Sequence, residues 1–152
     1  MQPDKVLFLR LKKEAMRKVL KYKVADAGRD QGKTFVITEM AARSGHAWAT
    51  RALFAVMNGG IDIPDNILNA GFAGIAALGV KALGRVSVDI AQPLLDELLS
   101  CVEIMPDPAH PTVLRSLIDD DIEEVLTIFN LQKQVLALHV DFFTSAKPTT
   151  TA

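Results

Sequence analysis

Residues Ala27–Thr34 have the residue types and spacing of a loop that could hold a phosphate group. Their sequence, AGRDQGKT, matches the pattern GxxxxGK[ST] except that alanine stands in place of the first glycine. In such a loop, backbone N–H groups and the lysine surround the phosphate, and a helix must follow directly. The next residues, Phe35–Thr38, are instead β-branched and aromatic, which predicts a strand. We therefore interpret the two glycines as part of a turn, and a phosphate-loop enzyme ranks last among the candidate functions.

The three histidines and the single cysteine have no spacing that is typical of a catalytic or metal site. His46, His110 and His139 do not pair at i, i+4, as zinc ligands on a helix do, and none neighbours the cysteine. We expect them at surface or helix-capping positions. Cys101 lies in an apolar stretch, which is typical of a buried structural thiol. The sequence therefore predicts no catalytic residue, no cofactor site, no metal site and no enzyme.

Five carboxylates lie close together at Asp119–Asp121, Glu123 and Glu124. They could bind a divalent cation, but they lack the D-x-D-x-D-G spacing of a calcium loop. Carboxylates are favourable at a helix N-terminus, where they interact with the helix dipole. We expect a solvated helix start here, and a docking surface for the basic N-terminal segment is the alternative.

Charge is divided unevenly along a chain of 152 residues whose formal net charge is −1. Residues 1–40 carry a net charge of +5 and residues 41–152 carry −6. The segment Lys5–Lys23 holds eight Lys and Arg residues, which could contact nucleic-acid phosphates. Only Phe8 and Tyr22 are available there to stack on bases, so nucleic-acid binding is disfavoured. The division of charge is equally typical of a tail that folds onto its own acidic body.

Composition and length favour one folded domain. The chain is 49% hydrophobic and 23% charged, which excludes collagen-like, disulfide-rich and wholly disordered proteins. We divide it into a basic N-terminal extension (1–20), a single globular domain (21–143) and a disordered tail (144–152). The longest apolar run, Ile67–Val80, is about 14 residues, and a membrane-spanning helix needs about 20. No signal peptide is recognisable, so we expect a cytoplasmic protein without a membrane contact.

The elements that position these residues follow from periodicity. Lys21–Val24 and Thr34–Thr38 predict two strands of a β-hairpin, and Val113–Ile118 is expected to be extended. Helical periodicity and stop signals predict helices over about 41–57, 65–83, 93–105 and 119–143, with a basic amphipathic helix over 1–20 as a fifth. The last helix is expected to bury an apolar stripe made of Ile122, Val125, Leu126, Phe129, Val135, Leu136 and Leu138. The predicted fold class is α+β, predominantly α, with an N-terminal β-hairpin followed by four to five packed helices.

Several stretches taken together resemble a known family. These stretches are Gly28–Met40, Trp48–Leu53, Ile63–Asp65, Gly71–Leu83, Pro93–Glu97, Pro106–Pro108 and Leu117–Val125. They resemble the tail assembly chaperones of long-tailed bacteriophages and prophages, small proteins encoded in the tail-gene block. The resemblance covers about residues 22–143, and its motifs are structural rather than catalytic.

This resemblance implies a non-enzymatic protein in the cytoplasm of the bacterial host. It would bind the tape measure protein and assist polymerisation of the tail-tube protein, and a homo-oligomer is compatible with that role. The residues expected to bind partners are Arg29, Lys33, Phe35, Glu39, Trp48, Arg51, Asp119 and Asp120. The alternative function is a small phage or prophage regulator that binds nucleic acid through its basic N-terminus.

The start of translation is a testable point. The residues from Met16 to Tyr22 have the pattern of a protein N-terminus that leads into a first strand. Residues 1–15 fall outside the resemblance. Two starts are therefore open: Met1, with residues 1–20 as a basic helix, and Met16, with residues 1–15 as an upstream extension; our hypothesis is the start at Met16. Mass spectrometry of the protein from that host should show no peptide before Met16, and an intact product from Met1 would contradict this.

Overall fold

The computed structural model describes residues 17–60, 65 and 85–145, with side chains up to residue 139. These residues form a four-stranded sheet, three α-helices and one 3₁₀ turn. In chain order the elements are β1 (Val19–Lys23), β2 (Thr34–Thr38), α1 (Ala42–Asn58), α2 (Val88–Leu99), β3 (Val102–Met105), β4 (Arg115–Ser116), the 3₁₀ turn (Asp119–Asp121) and α3 (Val125–Ser145).

All neighbouring strands of the sheet are antiparallel, in the order β1-β2-β3-β4. The register pairs Val19 with Thr38 and Lys23 with Thr34 in the first ladder. In the next two ladders Thr34 lies opposite Met105, and Ile104 lies opposite Arg115. The hairpin of β1 and β2 therefore forms one half of the sheet, and β3 joins it on the far side of β2.

Strand β2 lies between β1 and β3, and this inner position explains why its sequence is apolar without alternation. Phe35 and Ile37 are fully buried in the core, and Thr34 and Val36 are also buried. β-Branched and aromatic side chains suit such a position because they pack well on a pleated surface. Strand β1 alternates instead between exposed and half-buried residues, as expected of a strand at the side of the sheet.

One hydrophobic core joins the sheet to the three helices. Trp48 of α1 is buried among apolar side chains, and its indole N–H donates to the carbonyl oxygen of Leu94 in α2 at 2.9 Å. Helix α3 contributes Leu131 and Val135, both fully buried. The indole bond satisfies a polar group that would otherwise be costly to bury.

The prediction of a β-hairpin followed by four to five packed helices is wrong for the part of the chain that the structure describes. That part contains a four-stranded sheet and three α-helices. The largest difference lies at Val102–Met105, which forms the inner strand β3 and not the end of a helix. In this stretch Val102, Ile104 and Met105 are buried and Glu103 is half-buried. A short apolar run of this kind fits a helix or a strand by periodicity, and here pairing with β2 decides between them.

The boundaries of the second and third helices also differ from the prediction. Helix α2 begins at Val88, and Pro93 lies inside it rather than at its first turn. Helix α3 begins at Val125, six residues after the predicted start, because Asp119–Asp121 forms a separate 3₁₀ turn and Ile122 is extended. The predicted helix over 41–57 corresponds closely to α1.

Some predictions fall on parts of the chain that the structure does not describe. The helix predicted over 65–83 lies outside the described residues except for Asp65, which is helical. Most of the extension 1–20 and the tail 144–152 also lie outside them. Within the tail, Thr144 and Ser145 end α3.

His139 is a buried connector between α3 and the segment that follows β2. Its side chain accepts a hydrogen bond at Nε2 from the backbone N–H of Met40, at 2.9 Å. Nδ1 lies 2.7 Å from the carbonyl oxygen of Val135. Since Nε2 accepts, the ring hydrogen resides on Nδ1 and is donated to Val135. The expectation that His139 lies at the surface or caps a helix is wrong, since the residue is buried in the body of α3.

We expect His139→Phe to lower the free energy of unfolding by about 1–3 kcal/mol. The phenyl ring fills a similar volume but leaves the N–H of Met40 without its acceptor, and a buried unsatisfied donor costs about this much. Urea unfolding at neutral pH measures the effect. The matched control is His46→Phe on the exposed side of α1, which should change the value by less than about 0.5 kcal/mol. Equal losses in the two variants would contradict the assignment.

Candidate functional site

The loop between β1 and β2 is closed by its own backbone. We call residues 24–33 the hairpin loop. Val24 N–H donates to the carbonyl of Lys33 at 3.0 Å, and Gly32 N–H donates to the carbonyl of Val24 at 2.9 Å. Gly32 has a φ of +86°, a conformation that glycine adopts without steric cost. The glycines therefore serve the turn, as the sequence indicated, and the lysine leads into a strand rather than a helix.

Asp30 of the hairpin loop binds the start of α3. Its carboxylate accepts hydrogen bonds from the backbone N–H of Glu123, at 2.9 and 3.1 Å, and from that of Glu124 at 2.8 Å. The side chain is only 1% exposed. The first N–H groups at a helix start have no partner within the helix, and a carboxylate is well suited to bind them. Asp30 thus caps α3 from a different part of the chain.

The environment of Asp30 holds its carboxyl in the ionised form. Burial alone raises the pKa of this carboxyl, but hydrogen bonds from Lys33, the N–H of Glu123, the side chain of Thr127 and the N–H of Glu124 lower it further than burial raises it. The net result is a pKa well below the ordinary value for aspartate. The folded state is therefore stabilised by the charge of Asp30.

A second ionised carboxylate, Asp121, lies on the other side of Lys33. The ammonium of Lys33 contacts Asp30 Oδ1 at 2.8 Å and the carbonyl oxygen of Asp121 at 2.9 Å. Arg115 binds the Asp121 carboxylate through two nitrogens, each at 2.7 Å. Asp121 Oδ2 also accepts the N–H of Ile118 at 2.8 Å. The hydrogen bond from Arg115 lowers the pKa of Asp121 and outweighs burial.

Arg29 binds Glu123 and Glu124 on the side of these contacts that faces solvent. Its guanidinium contacts Glu124 Oε1 at 3.0 Å and Glu123 Oε2 at 3.2 Å, and it donates to the carbonyl oxygen of Glu123 at 2.8 Å. These atoms are largely exposed, and exposed ion pairs contribute little individually. The planar guanidinium nevertheless fixes the side chains next to the Asp30 bonds.

We call these seven residues the charged cluster: Arg29, Asp30, Lys33, Arg115, Asp121, Glu123 and Glu124. Its strongest interactions lie inside the protein, and every cation in it is bound to a carboxylate or a carbonyl. Lys33 therefore faces carboxylate and carbonyl oxygens, which is opposite to what a phosphate loop requires. The arrangement is that of a structural clamp between the hairpin loop and α3. Sequence reasoning selected Arg29 and Lys33 and missed Asp30, the carboxylate that Lys33 binds.

The orientation set by the charged cluster leaves three large apolar side chains in solvent. Val125, Leu126 and Phe129 are 68, 59 and 60% exposed. We call them the α3 ridge. The predicted apolar stripe of α3 is wrong at these three residues, and it is confirmed at Val135 and Leu138, which are buried. The buried face of α3 also contains Thr127 and Leu131. Exposed apolar groups at i, i+1 and i+4 form a continuous surface on one side of a helix.

The other residues predicted to bind partners are distributed between the core and the surface. Phe35 and Trp48 are buried in the core, where they pack the sheet against the helices. Glu39 accepts the backbone N–H of Lys18 at 3.0 Å. Arg51 binds both carboxylate oxygens of Glu97, at 2.9 and 2.7 Å, and so joins α1 to α2.

Asp119 and Asp120 differ from the rest of the predicted set. Both are exposed in the 3₁₀ turn, two residues and one residue before the buried Asp121. They are neither part of the charged cluster nor at the start of α3. Of the eight predicted residues, Arg29 and Lys33 belong to the charged cluster, Phe35 and Trp48 belong to the core, and the other four lie apart from both groups.

The histidines and the cysteine do not form an arrangement that is typical of a catalytic site. His46 is exposed, and His110 Nδ1 lies 2.8 Å from Asp107 in the loop after β3. Burial, together with the nearby Glu97, raises the pKa of the Cys101 thiol to about 11. Among residues 17–60, 65 and 85–145, no group of three or more His, Cys, Asp and Glu side chains could hold a metal ion. The helices of this described part are also too short or too polar to cross a membrane.

Comparison of the chain with protein families, curated proteins and solved structures gave no match.

We expect Asp30→Asn to lower the free energy of unfolding by about 3 kcal/mol. The substitution removes one partner of a buried ion pair, which leaves Lys33 without its carboxylate and weakens the cap of α3. Chemical denaturation at pH 7 measures the loss. The control Asp119→Asn changes a carboxylate that is exposed nearby, and we expect less than about 0.5 kcal/mol.

The pH dependence of stability in the same two variants separates the role of Asp30 from that of the exposed Asp119. The pKa values of Asp30 and Asp121 are lowered on folding, so their stabilisation is complete above the ordinary pKa of about 3.9 and is lost as pH falls below it. Between pH 5 and pH 3, wild type and Asp119→Asn should therefore lose more stability than Asp30→Asn. Parallel losses in all three proteins would show that Asp30 is not a main source of the acid sensitivity.

Proposed function

We propose that this protein is a tail assembly chaperone of a long-tailed bacteriophage or prophage, which binds the tape measure protein and assists tail-tube polymerisation. The proposal rests on the resemblance of residues 22–143 and on one structural observation, the exposed α3 ridge. An apolar surface on one helix is a common means of binding an amphipathic partner helix. A tape measure protein is long and helical, so it offers such a partner.

The ridge has the character of an interaction surface rather than of scattered exposed residues. Its three side chains are adjacent on one helical turn and remain more than half exposed. Contiguous apolar patches on a protein surface mark sites of protein or membrane contact. A partner that covers Val125, Leu126 and Phe129 would remove this surface from water, at a gain of about 25 cal/mol per Å² of apolar area.

The helix that carries the ridge is held firmly from its other side. Leu131 and Val135 are fully buried, and Asp30 binds the backbone immediately before the first turn. A surface held in one position loses little conformational freedom when a partner binds. The charged cluster thus supports binding by holding α3, without touching the partner itself.

The internal pairing of cations also favours a protein partner over nucleic acid. Arg29, Lys33, Arg51 and Arg115 each bind a carboxylate of this chain. A phosphate would have to replace those bonds, at the cost of exposing or burying an unpaired carboxylate. Apolar contact needs no such exchange.

Co-expression with the tape measure protein of the same tail-gene block tests the proposal. We expect the full chain to raise the soluble fraction of the tape measure protein, and Val125→Glu to reduce that gain. Val125 is the most exposed residue of the ridge, so the variant should fold normally. The control Val113→Glu alters a residue that is 56% exposed but lies in the loop before β4, and it should behave like wild type.

An unchanged soluble fraction of the tape measure protein with and without this chain would overturn the proposal. Equal effects of Val125→Glu and Val113→Glu would show that the ridge is not the binding surface. Salt-sensitive retention of the purified protein on DNA, lost when residues 1–23 are deleted, would favour the regulator in its place.

A further inference from the structure

Strand β1 has no neighbour on its outer side among the described residues. It is the first strand of the sheet order, and only β2 pairs with it. The N–H of Val24 donates to the carbonyl of Lys33 at 3.0 Å. Since hydrogen-bonded and non-hydrogen-bonded pairs alternate along an antiparallel ladder, every second residue of β1 directs its N–H and C=O away from β2. We call these outward backbone groups the free edge, and they belong to Val19, Lys21 and Lys23.

The side chains along the free edge are basic on one face of the sheet and apolar on the other. Lys21 and Lys23 are exposed, and no hydrogen bond or ion pair joins either ammonium to another described residue. The cations of the charged cluster and Arg51, by contrast, each bind a carboxylate of this chain. On the opposite face, Leu20 and Tyr22 pack against the core but remain half-buried. The margin of the core at β1 is therefore partly open to water.

We propose that an extended acidic segment of a partner protein binds the free edge as a fifth, antiparallel strand. Its main chain pairs with the outward N–H and C=O groups, which is the source of affinity when a peptide extends a sheet. Two carboxylates spaced two residues apart lie opposite Lys21 and Lys23, and opposite charges across strands attract. The side chains that alternate with these carboxylates are apolar and cover the open surface of Leu20 and Tyr22.

Charge selects this partner over a second copy of β1. When two β1 strands pair antiparallel about Lys21, that lysine lies opposite its own copy. A shift of two residues toward the hairpin loop places it opposite Lys23. Like charges directly opposite one another are destabilising, and lysines on an edge strand prevent pairing with neutral or basic strands for this reason. A strand of the opposite charge converts the same repulsion into attraction, so the lysines confer specificity.

The free edge also favours a peptide over nucleic acid. It presents N–H donors and carbonyl acceptors together, and a peptide strand has both kinds of group to match them. Phosphate oxygens only accept hydrogen bonds, so a phosphate backbone would leave the outward carbonyls without a partner. This inference goes beyond the proposed function and uses a surface other than the α3 ridge, so either can fail without the other.

Fluorescence anisotropy of the full chain with a labelled peptide of alternating Glu and Val tests the proposal. The peptide is about seven residues long, which is enough to span the five residues of β1. At low salt we expect saturable binding with a dissociation constant below about 1 mM. The double variant Lys21→Glu with Lys23→Glu should bind more than about tenfold more weakly, because attraction becomes repulsion. Added salt should weaken binding to wild type.

The matched control makes the same change in net charge elsewhere on the surface. Arg43→Glu with Lys133→Glu alters exposed residues of α1 and α3, and its affinity should stay within about threefold of wild type. Circular dichroism checks that both double variants melt at the wild-type temperature. No saturable binding to wild type, or equal losses in the two double variants, would overturn the proposal.

Two methylated peptides of identical charge separate strand pairing from charge attraction alone, and they need only the wild-type chain. Opposite the free edge, the glutamates direct their backbone N–H groups toward β1 and the valines direct theirs away. N-methylation of the glutamates should therefore weaken binding by more than about tenfold, and N-methylation of the valines should be tolerated. Equal affinities of the two methylated peptides would overturn the proposal. So would an oligothymidylate of the same charge that binds as tightly as the unmethylated peptide, a result that favours nucleic acid.

Discussion

The carboxylate of Asp30 joins the hairpin loop to the segment that leads directly into α3. It is almost fully buried, and it binds the two backbone N–H groups that precede α3 together with the ammonium of Lys33. A buried carboxylate is tolerated only when such partners surround it. Because these partners come from the loop and from the helix start, Asp30 fixes the position of α3 relative to the sheet. The orientation of the exposed α3 ridge depends on this contact together with the buried side chains Leu131 and Val135.

The charged cluster also gives the uneven charge of the sequence a partial explanation. Arg29 and Lys33 belong to the basic first 40 residues, and their partners Asp121, Glu123 and Glu124 belong to the acidic remainder. Some of the excess positive charge thus serves to attach the hairpin loop to the protein's own acidic segment. The sequence left this alternative open beside an interaction with another molecule. What it did not indicate was that an aspartate of the loop, rather than a lysine or arginine, occupies the centre.

The parts of the fold that were predictable are those in which local chemistry decides the structure. The turn at Gly32, the strand Thr34–Thr38 and the helix α1 each follow from residues within a few positions. β3 and the start of α3 depend instead on distant partners: β3 on the ladder with β2, and α3 on Asp30. A run of three aspartates is a reasonable helix start by itself. However, Arg115 binds the carboxylate of the buried Asp121. The helix begins only after the backbone N–H of Glu124, which donates to Asp30.

The long separation between Asp30 and its partners has a consequence for the order in which the chain can fold. The carboxylate and the backbone groups that it binds are 93 and 94 residues apart. Closing so large a loop has an entropic cost that must be met before the contact contributes anything, so contacts of this kind slow folding. During synthesis the hairpin leaves the ribosome long before the start of α3 exists. Until then Asp30 and Lys33 have only water and one another, and the apolar strand β2 lacks its neighbour β3. The full sheet and the contact of Asp30 with the start of α3 can therefore form only after residues 102–124 have been synthesised.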